Sequence, residues 1–261
     1  MMNSALRRYL TVTRYTLFEQ ARNRFASILL IIFVPSWYYF GYLFTTDDPI
    51  AFKFRVTSAI LQVNERNLTY LTLGLNAITL IGGFIIFTST RKNTQFDHRL
   101  VLNGYPQPLV ILGKLTSLVA IATVISLYAS VVLYAFWRPE SWPVVWFGFF
   151  WATLCYGGLG LLVGVLVRGE LEGFFLIFMI SLIDTFIQNP IGNPAANQEI
   201  VKAFPAFAPT QIDVAGGFTS LIPWNYVLIS LAWLAGFTLL GLMVFIWKTR
   251  ARSVHTIPSV Q

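Results

Sequence analysis

The chain has 261 residues, 56% of them hydrophobic and 11% charged, one cysteine and a formal net charge of +7. That charge density is about half that of a soluble domain, and the apolar content exceeds what one water-facing core can hide; an ordinary globular fold is excluded and a polytopic membrane protein implied. A lone cysteine, Cys155, excludes an intrachain disulfide and a cysteine-based metal cluster.

Residues 4–24 precede the first apolar run and have helical spacing. At about 100° per residue, Leu6, Leu10, Thr13, Leu17 and Ala21 gather on one side, and Arg7, Arg8, Arg14 and Arg22 on another. This is the pattern of an interfacial helix lying in the headgroup layer, its arginines on lipid phosphates. Apolar runs able to cross a hydrocarbon core of roughly 30 Å follow at about 25–45, 69–90, 109–137, 143–167, 171–187 and 223–247. Six spans put both termini on one side. Of the 18 basic residues, 13 then fall on that side, so the basic excess reads as cytoplasmic retention and not as a nucleic-acid surface.

The first span ends in Trp37, Tyr38, Tyr39, Phe40 and Tyr42, an interfacial belt in which Tyr38 and Tyr39 are candidates for stacking on an amphiphilic substrate. Pro35 should kink it. Segment 46–68 is expected as an outer loop without metal-ligand spacing. The second span carries Asn76, whose amide needs a partner across a helix interface, and Gly82-Gly83, which permit close helix approach.

Between the second and third spans lies a polar interruption, TSTRKNTQFDHRLVLNGYPQPLVILGKL at 88–115. Thr94 with Asp97 three residues on predicts a helix start, Gly104 a left-handed stop, and Pro106 and Pro108 prevent continuation. A short separate helix results, with Phe96 and Leu100 as its apolar stripe, while Arg91, Lys92, His98 and Arg99 hold it in the cytosol.

The turn RPESW at 138–142 predicts a tight hairpin of spans three and four. Gly160 and Gly164 form a small-xxx-small pattern for contact within the chain or with a second copy. Span five carries Asp184 near the outer boundary, where its charge is less costly; a proton-relay or substrate role stands beside plain solvation or pairing. Segment 188–222 is broken by prolines and glycines yet rich in apolar residues, and is expected to dip back as short helical pieces that cap the outer opening.

No chemistry of the chain's own is indicated. Gly113-Lys114 superficially matches the end of a phosphate-binding loop, but Pro108 and Leu115 stand at the wrong positions. His98 and His255 lack zinc-peptidase spacing, and no serine sits in G-x-S-x-G. Catalytic, cofactor-binding and metal-binding residues are therefore expected to be absent.

The basic entry helix, six spans, polar helix after span two and outer hydrophobic segment before span six together resemble the membrane permeases of type-2 ABC exporters, most closely the daunorubicin-resistance-like drug-export branch. Within TQFDHRLVLNGYPQPLVILGKL at 94–115, Asp97, Leu100, Pro106, Gly113 and Lys114 are similar to the family's pattern, and FPAFAPTQIDVAGGF at 204–218 resembles its outer Pro-rich segment. Lys92 and Asn93 depart from the acidic pair and glycine often found there, and the outer Ser-rich run is missing.

The resemblance implies an all-α membrane protein with residues 1–261 as one permease domain and 91–108 as a coupling-helix segment. Phe96, Asp97, Arg99 and Leu100 would contact separate ATP-binding subunits, two in number, which would hold ATP and Mg. A second permease chain, identical or paralogous, would complete a pathway for a hydrophobic drug, lipid or peptide, with Tyr38, Tyr39, Asn76 and Asp184 as candidate lining. Both termini would be cytoplasmic in a multi-pass cell-membrane protein. Two other readings stand beside it. An ATP-independent carrier would be expected to show internal repeats or charged midplane sites. A non-transporting membrane scaffold would share the topology.

Overall fold

The structure, a computed structural model, describes residues 4–102 and 106–253, with side chains for these apart from 4, 5, 25, 93–102, 107, 108, 110, 111, 246 and 248–253. Among the described residues, five helices are long and apolar enough to cross a membrane: Ala26–Phe44, Glu65–Lys92, Leu112–Phe136, Trp142–Leu166 and Trp224–Phe245.

Helix α1 (Ser4–Ala21) leads through α2 (Arg24–Ile28) and a π-helical turn, Leu29–Phe33, into α3 (Val34–Phe44). The wide turn comes just before Pro35, which lacks the N–H that an α-helix would direct at the Ile31 carbonyl. Tyr128 supplies the missing donor, its hydroxyl reaching Ile31 O at 3.2 Å. The expected proline kink thus takes the form of a π-turn with its orphan carbonyl satisfied from a neighbouring helix.

The long elements that follow are α4 (Glu65–Leu102), α5 (Gln107–Phe136), α6 (Trp142–Leu166), α7 (Glu170–Gln188) and α9 (Trp224–Ser253), with α8 (Phe207–Phe218) a short helix between the last two. Helices α4, α6 and α9 run parallel: Gly82 faces Thr153, Gly164 faces Thr90, and Gly158 faces Leu234 and Phe237. Helix α7 runs antiparallel to α4, with Gly173 on Phe87 and Ser181 on Asn76. It holds Glu170, Glu172 and Asp184 and is not among the five helices apolar enough to cross.

The α4–α6 crossing settles where the glycines work. A Cβ on Gly160 would lie 3.0 Å from Gly83 C and 3.1 Å from Gly83 Cα, and one on Gly164 3.1 Å from Phe87 O. Main chain meets main chain there, so the small-residue face serves contact within the chain. The tight α5–α6 turn is also as expected.

Four expectations are corrected. First, the polar stretch is no separate helix: α4 continues without a break to Leu102, so Thr94 is interior to a helix and not its cap. No glycine or proline intervenes between Gly83 and Gly104, and threonines in this region bond back into the helix, as Thr88 Oγ1 does to Phe84 O at 3.0 Å. The side chains of Phe96, Asp97, Arg99 and Leu100 lie outside the described residues.

Second, 46–68 is no plain loop. Strands β1 (Pro49–Lys53) and β2 (Ile60–Asn64) pair antiparallel, adding one small hairpin to a mostly helical chain. Phe54 and Val63 are buried with Leu68, Val214 and Ala215, which seats the hairpin on α4 and α8. Arg55 fastens it further, donating to Gln198 O at 2.9 Å and Ala196 O at 3.3 Å and lying 5.7 Å over the Phe207 ring.

Third, beside its expected stripe, whose Leu6 and Leu10 stay outward, α1 has a second face that packs on the bundle. Val12, Thr13 and Thr16 are buried against α5, and Tyr9 OH shares a 2.6 Å hydrogen bond with Thr116 Oγ1. A Cβ on Gly113 would sit 2.9 Å from Val12 Cγ1, so small and β-branched side chains approach where leucines would not fit. Leu6 and Leu10 face outward beside Arg7 and Arg14. Fourth, Tyr38 is no belt residue: it is fully buried and donates to Ala129 O at 3.2 Å, whereas Tyr39 is exposed.

Candidate functional site

The polar groups that the sequence scattered over three elements meet where α4, α6, α7 and α8 converge. Asn76 on α4 is buried and spends both amide hydrogens on α7, donating to Thr185 Oγ1 at 3.0 Å and Ser181 Oγ at 3.3 Å. Thr79, one turn on, shares a 2.7 Å hydrogen bond with the same Ser181 hydroxyl. An amide in an apolar bundle must find partners across an interface, and these residues supply them.

One residue before Thr185 stands Asp184, 1% exposed. Tyr156 of α6 donates its hydroxyl to Asp184 Oδ2 at 2.5 Å, Ala206 N–H donates to the same oxygen at 2.8 Å, and Gln188 Nε2 donates to Oδ1 at 3.2 Å. Ala206 directly precedes α8, so the carboxylate faces the positive end of a helix dipole. Asp184 is buried and not solvated, and its partners among the described residues are neutral donors, with no cation beside them. The arrangement binds α6, α7 and α8 through one side chain. A cavity of about 30 Å³ adjoins it, lined by Gln188, Arg55, Thr72, Thr210 and Gln211 beneath the hairpin and large enough for a water molecule.

Helix α8 is the unexpected part. Segment 188–222 does form short helical pieces, a 3-10 turn at Glu199–Ala203 and then α8. Yet every residue from Phe207 to Gly217 is buried, so α8 is core, not a surface cap. Its C-terminal carbonyls receive the first amides of the α6 entry: Ser141 N–H reaches Gly216 O at 2.8 Å and Glu140 N–H reaches Gly217 O at 3.1 Å. Gly216 permits this, since a Cβ there would lie 2.6 Å from Val145 N.

In the middle of α8, Asp213 is fully buried, and neither carboxylate oxygen has a hydrogen-bond partner among the described residues. It packs on Gly148 of α6, where an added Cβ would fall 2.7 Å from the carboxyl carbon. Nothing in the sequence singles out Asp213 within segment 188–222, which is expected only to dip back and cap the outer opening.

Among the predicted lining residues, the structure joins Asn76 and Asp184 through α7 and leaves Tyr38 and Tyr39 out of that network. Cys155 is buried and donates weakly to Ser230 O at 3.2 Å, a packing role. Among the described residues no three His, Cys, Asp or Glu side chains come together where they could hold a metal ion. Compared with protein-family models and with curated proteins, the chain matches none.

Proposed function

We propose that the chain is the membrane permease subunit of an ATP-driven type-2 ABC exporter, moving a hydrophobic or amphiphilic substrate out of the cytoplasm or inner leaflet. The observation that carries this reading is α4: a candidate span from Glu65 to Lys92 that continues as helix to Leu102, beyond any bilayer core. In this reading Phe96, Asp97, Arg99 and Leu100, which lie in the sequence of that extension, are the contacts to a partner outside the membrane. In this reading α7 is the sixth span, both termini are cytoplasmic, and the chain pairs with a second permease chain and two ATP-binding subunits. Those subunits hold ATP and Mg, and this chain contributes no catalytic group. Their closure would push the α4 extensions, and rigid helices would carry the movement outward.

The test is co-purification of the full chain with an ATP-binding subunit encoded beside it, wild type against Phe96→Asp/Leu100→Asp. Loss of the complex and of permease-stimulated ATP hydrolysis is expected. An unchanged complex and unchanged hydrolysis would overturn the docking assignment, and the lack of any ATPase partner would overturn the exporter reading.

A further inference from the structure

Away from the buried network, a second polar hollow opens at the end of the bundle where α1 hands over to the first span. Its volume is about 320 Å³, within the ~300–1,000 Å³ range of small-ligand sites. Among the described residues its walls carry Arg22, Arg24 and Lys92 against one carboxylate, Glu19: three cations to one anion, a net +2. All three cations are exposed and long enough to converge on one ligand. The wall residues Asn23 and Thr88 are polar as well.

Position identifies the ligand class. Arg22 and Arg24 directly precede the candidate span Ala26–Phe44, and Lys92 closes the candidate span Glu65–Lys92. The hollow therefore sits where two spans leave the hydrocarbon, at the depth of lipid phosphates. A cation cluster there binds anionic headgroups, with each basic residue near the surface strengthening attachment about fivefold. Beside it, α1 presents Leu6 and Leu10 outward, at 46% and 45% exposure, as acyl-chain contacts.

We infer that this hollow is a specific site for the phosphate of an anionic phospholipid headgroup, joining the end of α1 to α4. The lipid acts as a clip between two elements whose described contacts with each other are otherwise sparse at this level. The inference depends on the membrane location alone and stands independently of the exporter reading.

The experiment uses the full chain in micelles containing phosphatidylglycerol, with phosphatidylcholine as comparator, and counts retained lipid by native mass spectrometry. Wild type should retain phosphatidylglycerol selectively, and Arg24→Ala/Lys92→Ala should weaken retention by roughly 25-fold. The charge-matched Arg7→Ala/Arg14→Ala, on α1 and outside the hollow, should weaken it far less. Arg24→Lys should preserve retention and serves as the readout should the double variant not fold. Equal loss in both double variants would reduce the effect to general surface attraction and overturn the site. Displacement of the lipid by inorganic phosphate at matched concentration would assign the hollow to a soluble phosphate and overturn the lipid assignment.

Discussion

Replacing Gly160 by alanine tests the helix crossing on which the bundle is built. Two opposed effects act. Alanine in a helix interior is favoured over glycine by about 1 kcal/mol. Against that, the new methyl meets Gly83 C at 3.0 Å and Cα at 3.1 Å, with the carbonyl oxygen nearer still. Every atom met is main chain, so no side-chain rotation relieves the contact and α4 must move from α6. Overpacking costs about 1–3 kcal/mol, and rigid neighbours place this case at the upper end. The net is a loss of about 2 kcal/mol, or a fall of roughly 4–8 °C in Tm by the usual scaling for larger domains. Gly236→Ala is the internal control: nothing lies within 4 Å of a Cβ there, so only the helix-propensity gain remains. Thermal unfolding of both variants in one detergent should move Tm in opposite directions. A Gly160→Ala protein as stable as wild type would refute the intramolecular crossing.

Tyr156→Phe keeps the ring and removes one of three donors to Asp184, which should cost about 1.5–3 kcal/mol as a hydrogen bond to a charged group, read as a lowered Tm. An unchanged Tm would mean that the carboxylate is not held as described. Asp213→Asn should leave Tm nearly unchanged, because complete burial without donors favours the neutral carboxyl and the amide replaces it at almost constant shape; a clear fall in Tm would reveal a donor that holds the carboxylate charged. Gly148→Ala, which drives a methyl against that carboxyl group, should lower Tm.

What the sequence made legible was whatever a residue type decides by itself. Glycines in an apolar helix signal close approach, and Gly82, Gly83, Gly160 and Gly164 all lie at helix contacts. A buried Asn76 demands partners, and they were found on α7. Signals with two meanings misled. Thr94 followed by Asp97 reads as a cap, but threonine also sits inside helices when its hydroxyl bonds backward, and nothing before Gly104 stops α4. In the first strand of the hairpin, Ile50 and Phe52 alternate with Ala51 and Lys53, a strand pattern that the surrounding charges made look like a loop. Asp213 was illegible for a further reason: whether a carboxylate is solvated depends on which segments close over it, and that is decided by tertiary packing alone.

The unbroken α4 has one more consequence. Its 38 residues make a rod of about 57 Å, nearly twice the ~30 Å hydrocarbon thickness, and Asn64 of β2 runs directly into Glu65 at its head. The hairpin is therefore a handle fixed to one end of a lever whose other end is the polar extension. Tilting the rod by about 5° about a point near its middle moves its two ends in opposite directions by about 2.5 Å each. The glycine crossing with α6 lies part-way along and has the geometry of a fulcrum.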